Sequence, residues 1–110
     1  MVVARTLKVG YEAYDTEEGL PVSGAARVKN LLQGDELTML RIGYENGSSS
    51  PVHSHKYETL CFVIKGQAEI TIGGETFTVS EGDAFKHPRG VDHSIKAVFE
   101  TAILEVKSKA

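Results

Sequence analysis

Two adjacent glycines, Gly73 and Gly74, constrain the fold of this chain more than any other feature. Glycine accepts the positive φ that both central residues of the tightest hairpin turn require. On one flank Ile70 and Ile72 alternate with polar residues, and on the other Phe77 and Val79 do the same. A two-residue turn between two alternating segments commits this part of the chain to antiparallel sheet, with the apolar side chains of both strands on one face.

The rest of the sequence repeats the pattern. Residues 27–33 and 36–45 read as strands separated by Gly34-Asp35. In the second of them, Thr38, Leu40, Ile42 and Tyr44 fall on one side, and Leu37, Met39 and Arg41 on the other. Residues 46–51 (NGSSSP) form a turn, and a buried strand follows and ends at Gly66. Residues 80–83 (SEGD) and 88–92 (PRGVD) are further turns, bracketing short strands at 84–87, 93–98 and 99–107. Near the N-terminus, Leu7 and Val9 suggest a strand start, and residues 15–19 read as a loop. No segment has a helical period. About eight strands with glycine-rich turns imply an all-β fold, either a sandwich or a barrel. An immunoglobulin-type sandwich finds no support, because the chain has no Trp and only one Cys.

With 110 residues, the chain has enough apolar material for a single domain spanning 1–110 and too little for two. Twelve basic and fifteen acidic residues make no polybasic surface, so neither nucleic acid nor a membrane surface is an expected partner. No apolar run is long enough to span a bilayer, and the first residues do not form a secretory leader. Cys61 stands alone, which rules out an intrachain disulfide and suits a cytoplasmic protein.

All four histidines lie between positions 53 and 93. His53 and His55, two apart at the head of a strand, point to the same side, and neutral imidazole is a ligand for several divalent metals. Spacing alone does not bring His93 to them. Residues 47–66, with Gly47, His53, His55 and Gly66, resemble the first motif of the cupins. Residues 82–97, with Gly82, Pro88, Gly90 and His93, are similar to the second. The resemblance implies a double-stranded β-helix, the cupin jelly-roll barrel. It also implies one divalent transition metal ion (Mn, Fe, Ni or Zn) held by His53, His55 and His93. Cupins usually carry a Glu or Gln ligand four residues beyond the second histidine, where this chain has Thr59. Alternation places Tyr57, Thr59 and Cys61 on the side of His55 and turns Glu58 away, unless a bulge near residue 57 rotates it inward. A further departure is Ala97, where Asn is common.

Other side chains compete for roles. His87 and Phe85 take the inward side of their strand, so His87 is a candidate fourth ligand or acid/base group, or simply a wall histidine. Tyr57 is a second acid/base candidate. Cys61 is a soft potential ligand among apolar neighbours, and equally a small core residue. Arg27, Arg41 and Lys86 are candidates to meet an anionic substrate. The segment HSHKYE with FVIKG and TIGGE is similar to small cupins acting on unsaturated uronic acids. That implies ring opening or tautomerisation of a small-molecule substrate, with the metal as Lewis acid. The alternatives are a three-histidine Fe(II) dioxygenase, or a sugar- or small-molecule-binding cupin without catalysis, including one whose histidines no longer hold metal. Cupins commonly pair, and the region 1–45 has apolar residues on both strand faces, so a homodimer using that region is expected.

Overall fold

The computed structural model describes residues 2–109. A 3-10 turn, Thr6–Lys8, precedes eleven strands. These are β1 (Glu12–Ala13), β2 (Thr16–Glu17), β3 (Leu20–Pro21), β4 (Ala26–Gln33), β5 (Leu37–Tyr44), β6 (Thr59–Lys65), β7 (Gln67–Ile72), β8 (Glu75–Ser80), β9 (Ala84–His87), β10 (His93–Ala97) and β11 (Thr101–Ser108). More than half of the described residues are in strands. Gly73 and Gly74 turn as expected, with φ of +57° and +86°, and join β7 to β8 with Ile70 opposite Phe77.

The strands form a six-stranded sheet in the order β1-β4-β5-β11-β6-β9, a three-stranded sheet β10-β7-β8, and a small hairpin β2-β3. Every pairing among these strands is antiparallel. The larger sheets share one core. Val28, Leu40, Ile42, Tyr44, Cys61, Val63 and Ile103 come from the first, and Ala68, Ile70, Val79, Ile95 and Ala97 from the second. The Cα radius of gyration, 13.1 Å, is that of a well-packed chain of this length.

The expected closed barrel does not form. The arrangement is that of a jelly roll, but the sheets remain separate, and no continuous ladder joins the free edge of β10 to the larger sheet. The segment that would have to complete the ring, residues 45–58, forms no strand and pairs with β10 in sheet register only at the isolated bridges Ser49↔Lys96 and His53↔His93. Its composition explains this. Pro51 has no N–H to donate, and Gly47 takes a φ of +81° that interrupts an extended run. Two serine side chains then replace ladder bonds: Ala25 N–H donates to Ser48 Oγ (2.9 Å), and Ile95 N–H to Ser50 Oγ (3.0 Å).

The N-terminal part also differs from expectation. Leu7 sits in the 3-10 turn, 98% exposed, rather than opening a strand. Residues 15–19, read as a loop, contain most of the β2-β3 hairpin. Its two turn residues, Glu18 and Gly19, both have positive φ (+49° and +78°). Among the described residues, no helix is long and apolar enough to cross a membrane.

Gly66 and Gly74 separate two costs of replacing glycine. Both have positive φ (+92° and +86°). A Cβ on Gly74 would meet nothing within 4 Å, whereas one on Gly66 would run into the Glu100 carbonyl oxygen and lie 2.8 Å from Thr101 Cα. Gly74→Ala therefore carries only the backbone cost, roughly 1–2 kcal/mol. In urea titrations Gly66→Ala should lose at least twice as much. Equal losses would show that the chain yields at Gly66 without strain.

Candidate metal centre

The histidines converge because of one backbone contact. His53 and His93 exchange both of their hydrogen bonds, N–H to carbonyl at 3.0 Å and 2.8 Å. Residues that exchange both bonds lie directly opposite each other and project their side chains to the same face. His55, two residues beyond His53, joins that face, and its carbonyl accepts from Gly90 N–H at 2.8 Å, which fixes the turn before β10. All three are buried. Ring centroids are 4.3 Å apart for His53–His93, 4.7 Å for His55–His93 and 4.9 Å for His53–His55. One ligand atom from each falls within 4.8 Å of the others.

Two of the rings are held in one tautomer. His53 Nδ1–H donates to the Pro51 carbonyl at 2.7 Å, and His93 Nδ1–H to the Val91 carbonyl at 3.1 Å. Each keeps its Nε2 lone pair for another partner, the usual preparation of a metal-binding imidazole. Three buried, converging imidazoles make a set able to coordinate a metal ion.

The carboxylate that the sequence lacked at position 59 comes from elsewhere. Glu17, at the end of β2, is buried and places Oε1 3.1 Å from His53 Nε2 and 4.0 Å from His55 Nε2. Its other oxygen accepts a hydrogen bond from the Tyr14 hydroxyl. His53 Nε2 has no hydrogen-bond donor of its own once Nδ1 is committed, and it is a buried nitrogen without a hydrogen-bond partner. A lone pair facing a carboxylate oxygen needs a cation between or beside them, either a proton or a metal ion. The donor set, three imidazoles and one carboxylate, therefore fits a divalent transition metal.

Thr59 faces inward as alternation required and is fully buried, with Oγ1 unpartnered. Glu58 is exposed and lines an outer cavity, so no bulge turns it inward. His87 ends β9 opposite Thr59 and stacks on His93, with centroids 3.7 Å apart and planes 8° apart. Burial and the neighbouring histidines push its pKa down to about 3, so it is a neutral imidazole at ordinary pH. Burial likewise pulls His93 down to about 4. For His53, burial lowers the pKa, but the close Glu17 carboxylate, the Pro51 carbonyl and the charge of Glu18 outweigh it, and the net shift is upward. Tyr57 stacks on His55 at 4.7 Å, with planes 1° apart, and burial raises its hydroxyl pKa. Burial also pushes the Cys61 thiol well up, which keeps it protonated and leaves it a core residue. Arg27 and Arg41 line a different cavity, away from the histidines, and Lys86 is exposed.

Two spaces meet the cluster. An interior cavity of about 20 Å³ touches Glu17, His53, His87 and His93 as well as Glu105. An outer cleft of about 590 Å³ reaches His55 between Glu18, Lys56, Tyr57 and Arg89. Glu105 was not singled out from the sequence. On β11 it alternates with Leu104 and Val106, and alternation alone does not say which set faces inward. Burial, reinforced by Glu17 and opposed by Lys107 and His53, raises its pKa to about 7. Its Oε2 has no hydrogen-bond partner.

Comparison with known proteins agrees with this geometry. The family model described as a cupin domain matches residues 40–106. Oxalate decarboxylase OxdC of Bacillus subtilis (strain 168) is 33% identical over 96 residues, which cover 80% of this chain and 25% of that protein. The chain thus spans about a quarter of the length of that relative. Among solved structures, a predicted oxalate decarboxylase from Thermotoga maritima superposes with a TM-score of 0.86 at 22% identity, covering 98% of each chain. An RmlC-like cupin from Shewanella frigidimarina does so with a TM-score of 0.85 at 20% identity, covering 100% of this chain and 92% of the other.

The environment of Glu105 has a measurable consequence. An ordinary glutamic acid loses its proton near 4.5, and Glu105 in the folded chain loses it at about 7. The folded state binds the extra proton between those values, so stability falls as pH rises through them. The cost is absent below about pH 4.5 and complete above about pH 7, where it amounts to about 3 kcal/mol. Glu105→Gln removes it. In metal-free protein this variant should exceed wild type in urea stability at pH 8 and match it at pH 4. A difference that stays constant with pH would show that Glu105 ionises normally.

Proposed function

Because this chain belongs to the cupin family, we propose that it is a metal-dependent enzyme that brings a small oxygen-rich anion together with dioxygen at the His53, His55 and His93 cluster. The observation that carries this reading is the pairing of two unequal spaces at one set of imidazoles. The interior cavity of about 20 Å³ has room for a molecule of one or two heavy atoms. The outer cleft of about 590 Å³ has room for an organic ligand beside Lys56 and Arg89, whose charges suit an anion. Iron, when bound, would supply the one-electron chemistry that dioxygen needs.

The chain's own residues supply the rest. His53, His55, His93 and Glu17 would hold the ion. Hydrogen bonds to Pro51 and Val91 keep two of the rings aimed and in the correct tautomer. His87, neutral and stacked on His93, can offer a hydrogen bond inside the cavity, and Tyr57, protonated and stacked on His55, can donate one at the cleft. The apolar walls, Ile42, Phe85, Ile95 and Ile103, limit water around them.

A second reading rests on the likeness to OxdC, an oxalate decarboxylase. In that case a small dicarboxylate would lose carbon dioxide without consuming oxygen. Ring opening of an unsaturated uronic acid, the first expectation from sequence, has less support, because the interior cavity excludes a sugar ring and leaves such a substrate only the outer cleft. We further propose that residues 1–110 form one domain, that the protein is cytoplasmic, and that it is a homodimer. The dimer would cover the end of the six-stranded sheet where Leu37, Leu60 and Phe62 are exposed. Light scattering should then give twice the chain mass, and a single-chain mass at all concentrations would exclude the dimer.

The decisive experiment loads metal-free protein anaerobically with Fe(II) or Mn(II), then adds oxygen and small carboxylates, oxalate among them. Oxygen uptake dependent on Fe(II) and on the carboxylate is expected. Carbon dioxide and formate released from oxalate without net oxygen uptake would favour the second reading. His93→Ala should weaken metal binding by at least roughly tenfold, and Glu17→Gln should weaken it less, with the strand spectrum kept in both. Full, equally tight metal in His93→Ala would overturn the site.

A further inference from the structure

The arginines that sequence suggested for the substrate line a separate cavity on the outer face of the six-stranded sheet. We propose that this cavity is a second ligand site, one that takes a small oxyanion, a phosphate or carboxylate group, between Arg27 and Arg41. The site is built into the sheet by its smallest residues. Gly43 in β5 stands opposite Arg27 in β4 and Ala102 in β11. Directly opposed residues share a face, so Gly43 and Ala102 make a low floor over which the Arg27 side chain leans, its Cγ and Nε at 3.7 and 3.8 Å from where a Cβ on Gly43 would stand. Glycine within a strand commonly marks a close approach by a ligand or another backbone. Gly43 needs no left-handed conformation, so the turn chemistry that explains most of the other glycines does not explain this one.

The walls are cationic and unspent. Arg41, two residues before Gly43, rises on the same side, and its Nε is buried without a hydrogen-bond partner. The Arg27 guanidinium lies 4.3 Å from the centre of the Tyr11 ring. Among the described residues neither arginine forms an ion pair. The carboxylates at the rim are Glu45 and Glu100, and Glu100 is held by Lys65 at 2.9 Å. The hollow between them measures about 310 Å³, ample for a small dianion. Two guanidinium groups beside one hollow, one of them with an unpartnered Nε, offer the donors that bidentate recognition of an oxyanion uses. The hollow lies at the Tyr44 end of the strands, opposite the Leu37 end assigned to the dimer, and none of its residues belongs to the histidine cluster.

Isothermal titration of the metal-free protein at low ionic strength tests the site, with inorganic phosphate and succinate as separate probes. At least one probe should bind saturably with one site per chain. A response to phosphate alone identifies a phosphorylated ligand, and a response to succinate alone a carboxylate. Arg41→Met and Arg27→Met should each weaken binding about tenfold or more, and Arg27, exposed in the free protein, can be replaced without harm to the fold. Gly43→Val should abolish binding by filling the floor, since a Cβ there meets only the Arg27 side chain at ordinary contact distance, 3.7 Å or more. Three results would overturn the proposal. One is no saturable binding of either probe. Another is binding unchanged in Arg27→Met. The third is binding that His93→Ala removes and Arg27→Met does not, which would place the anion at the histidines.

Discussion

The pair of backbone hydrogen bonds between His53 and His93 is the contact on which the polar end of the molecule depends. It joins residues forty positions apart, and it does so where the regular ladders have run out. The core strands bring their own side chains inward by simple alternation. The histidine cluster needs something more, because His53 and His55 precede β6 rather than lie in it. Without the bridge, the segment before β6 would be a loop free to carry its imidazoles toward solvent. With it, their directions are set by backbone geometry, and the Pro51 and Val91 carbonyls set their tautomers. The site is thus organised by main-chain atoms before any ligand is present.

Much of this was legible in the sequence, and the reasons for the rest are physical. Alternation correctly grouped Leu40, Ile42 and Tyr44 on one face, which proves to be the buried one, and set Thr59 and Cys61 on the side of His55 with Glu58 turned away. The resemblance to the cupin motifs implied His53, His55 and His93 as one group, and the structure brings the three together. Closure of the sheets was not legible. It turns on whether residues 45–58 pair as a strand, and there Ser48 and Ser50 compete with the ladder through their side chains, a tertiary outcome that alternation does not encode. Glu17 was missed for a different reason. Its strand is two residues long, too short for any periodicity, and its turn is Glu-Gly rather than the Asn-Gly or Asp-Gly that announces a hairpin. The one available signal was Glu18-Gly19 followed by Leu20-Pro21, and it is weak.

The interior combines groups that burial treats in opposite ways. It keeps His87 and His93 neutral by lowering their pKa values, and it keeps Glu105 protonated to about pH 7 by raising its own. Both shifts disfavour charge, which is what a cavity of about 20 Å³ walled by Ile42, Ile95 and Ile103 would do to any isolated ion. Glu17, buried beside them, has two neighbours of its own, the Tyr14 hydroxyl and the histidines. The apolar wall and the polar cluster are therefore parts of one design. A low-dielectric surround raises the cost of unpaired charge, and so strengthens the hold on any cation that completes the donor set.

Glu17 is carried on a hairpin whose two strands pair only with each other, forming a sheet of their own. That hairpin is joined to the rest of the molecule by a few contacts, among them Tyr14 N–H to the Ala26 carbonyl and the Glu17–His53 approach. A carboxylate that helps to hold an ion at the histidines also ties its own hairpin down, and the two effects share a single free energy. Whatever strengthens the ion's hold raises the hairpin's docking constant by the same factor, and whatever frees the hairpin loosens the ion equally. With Glu17 among the ligands, as proposed, the N-terminal segment would report on the occupancy of a site assembled largely from residues far along the chain.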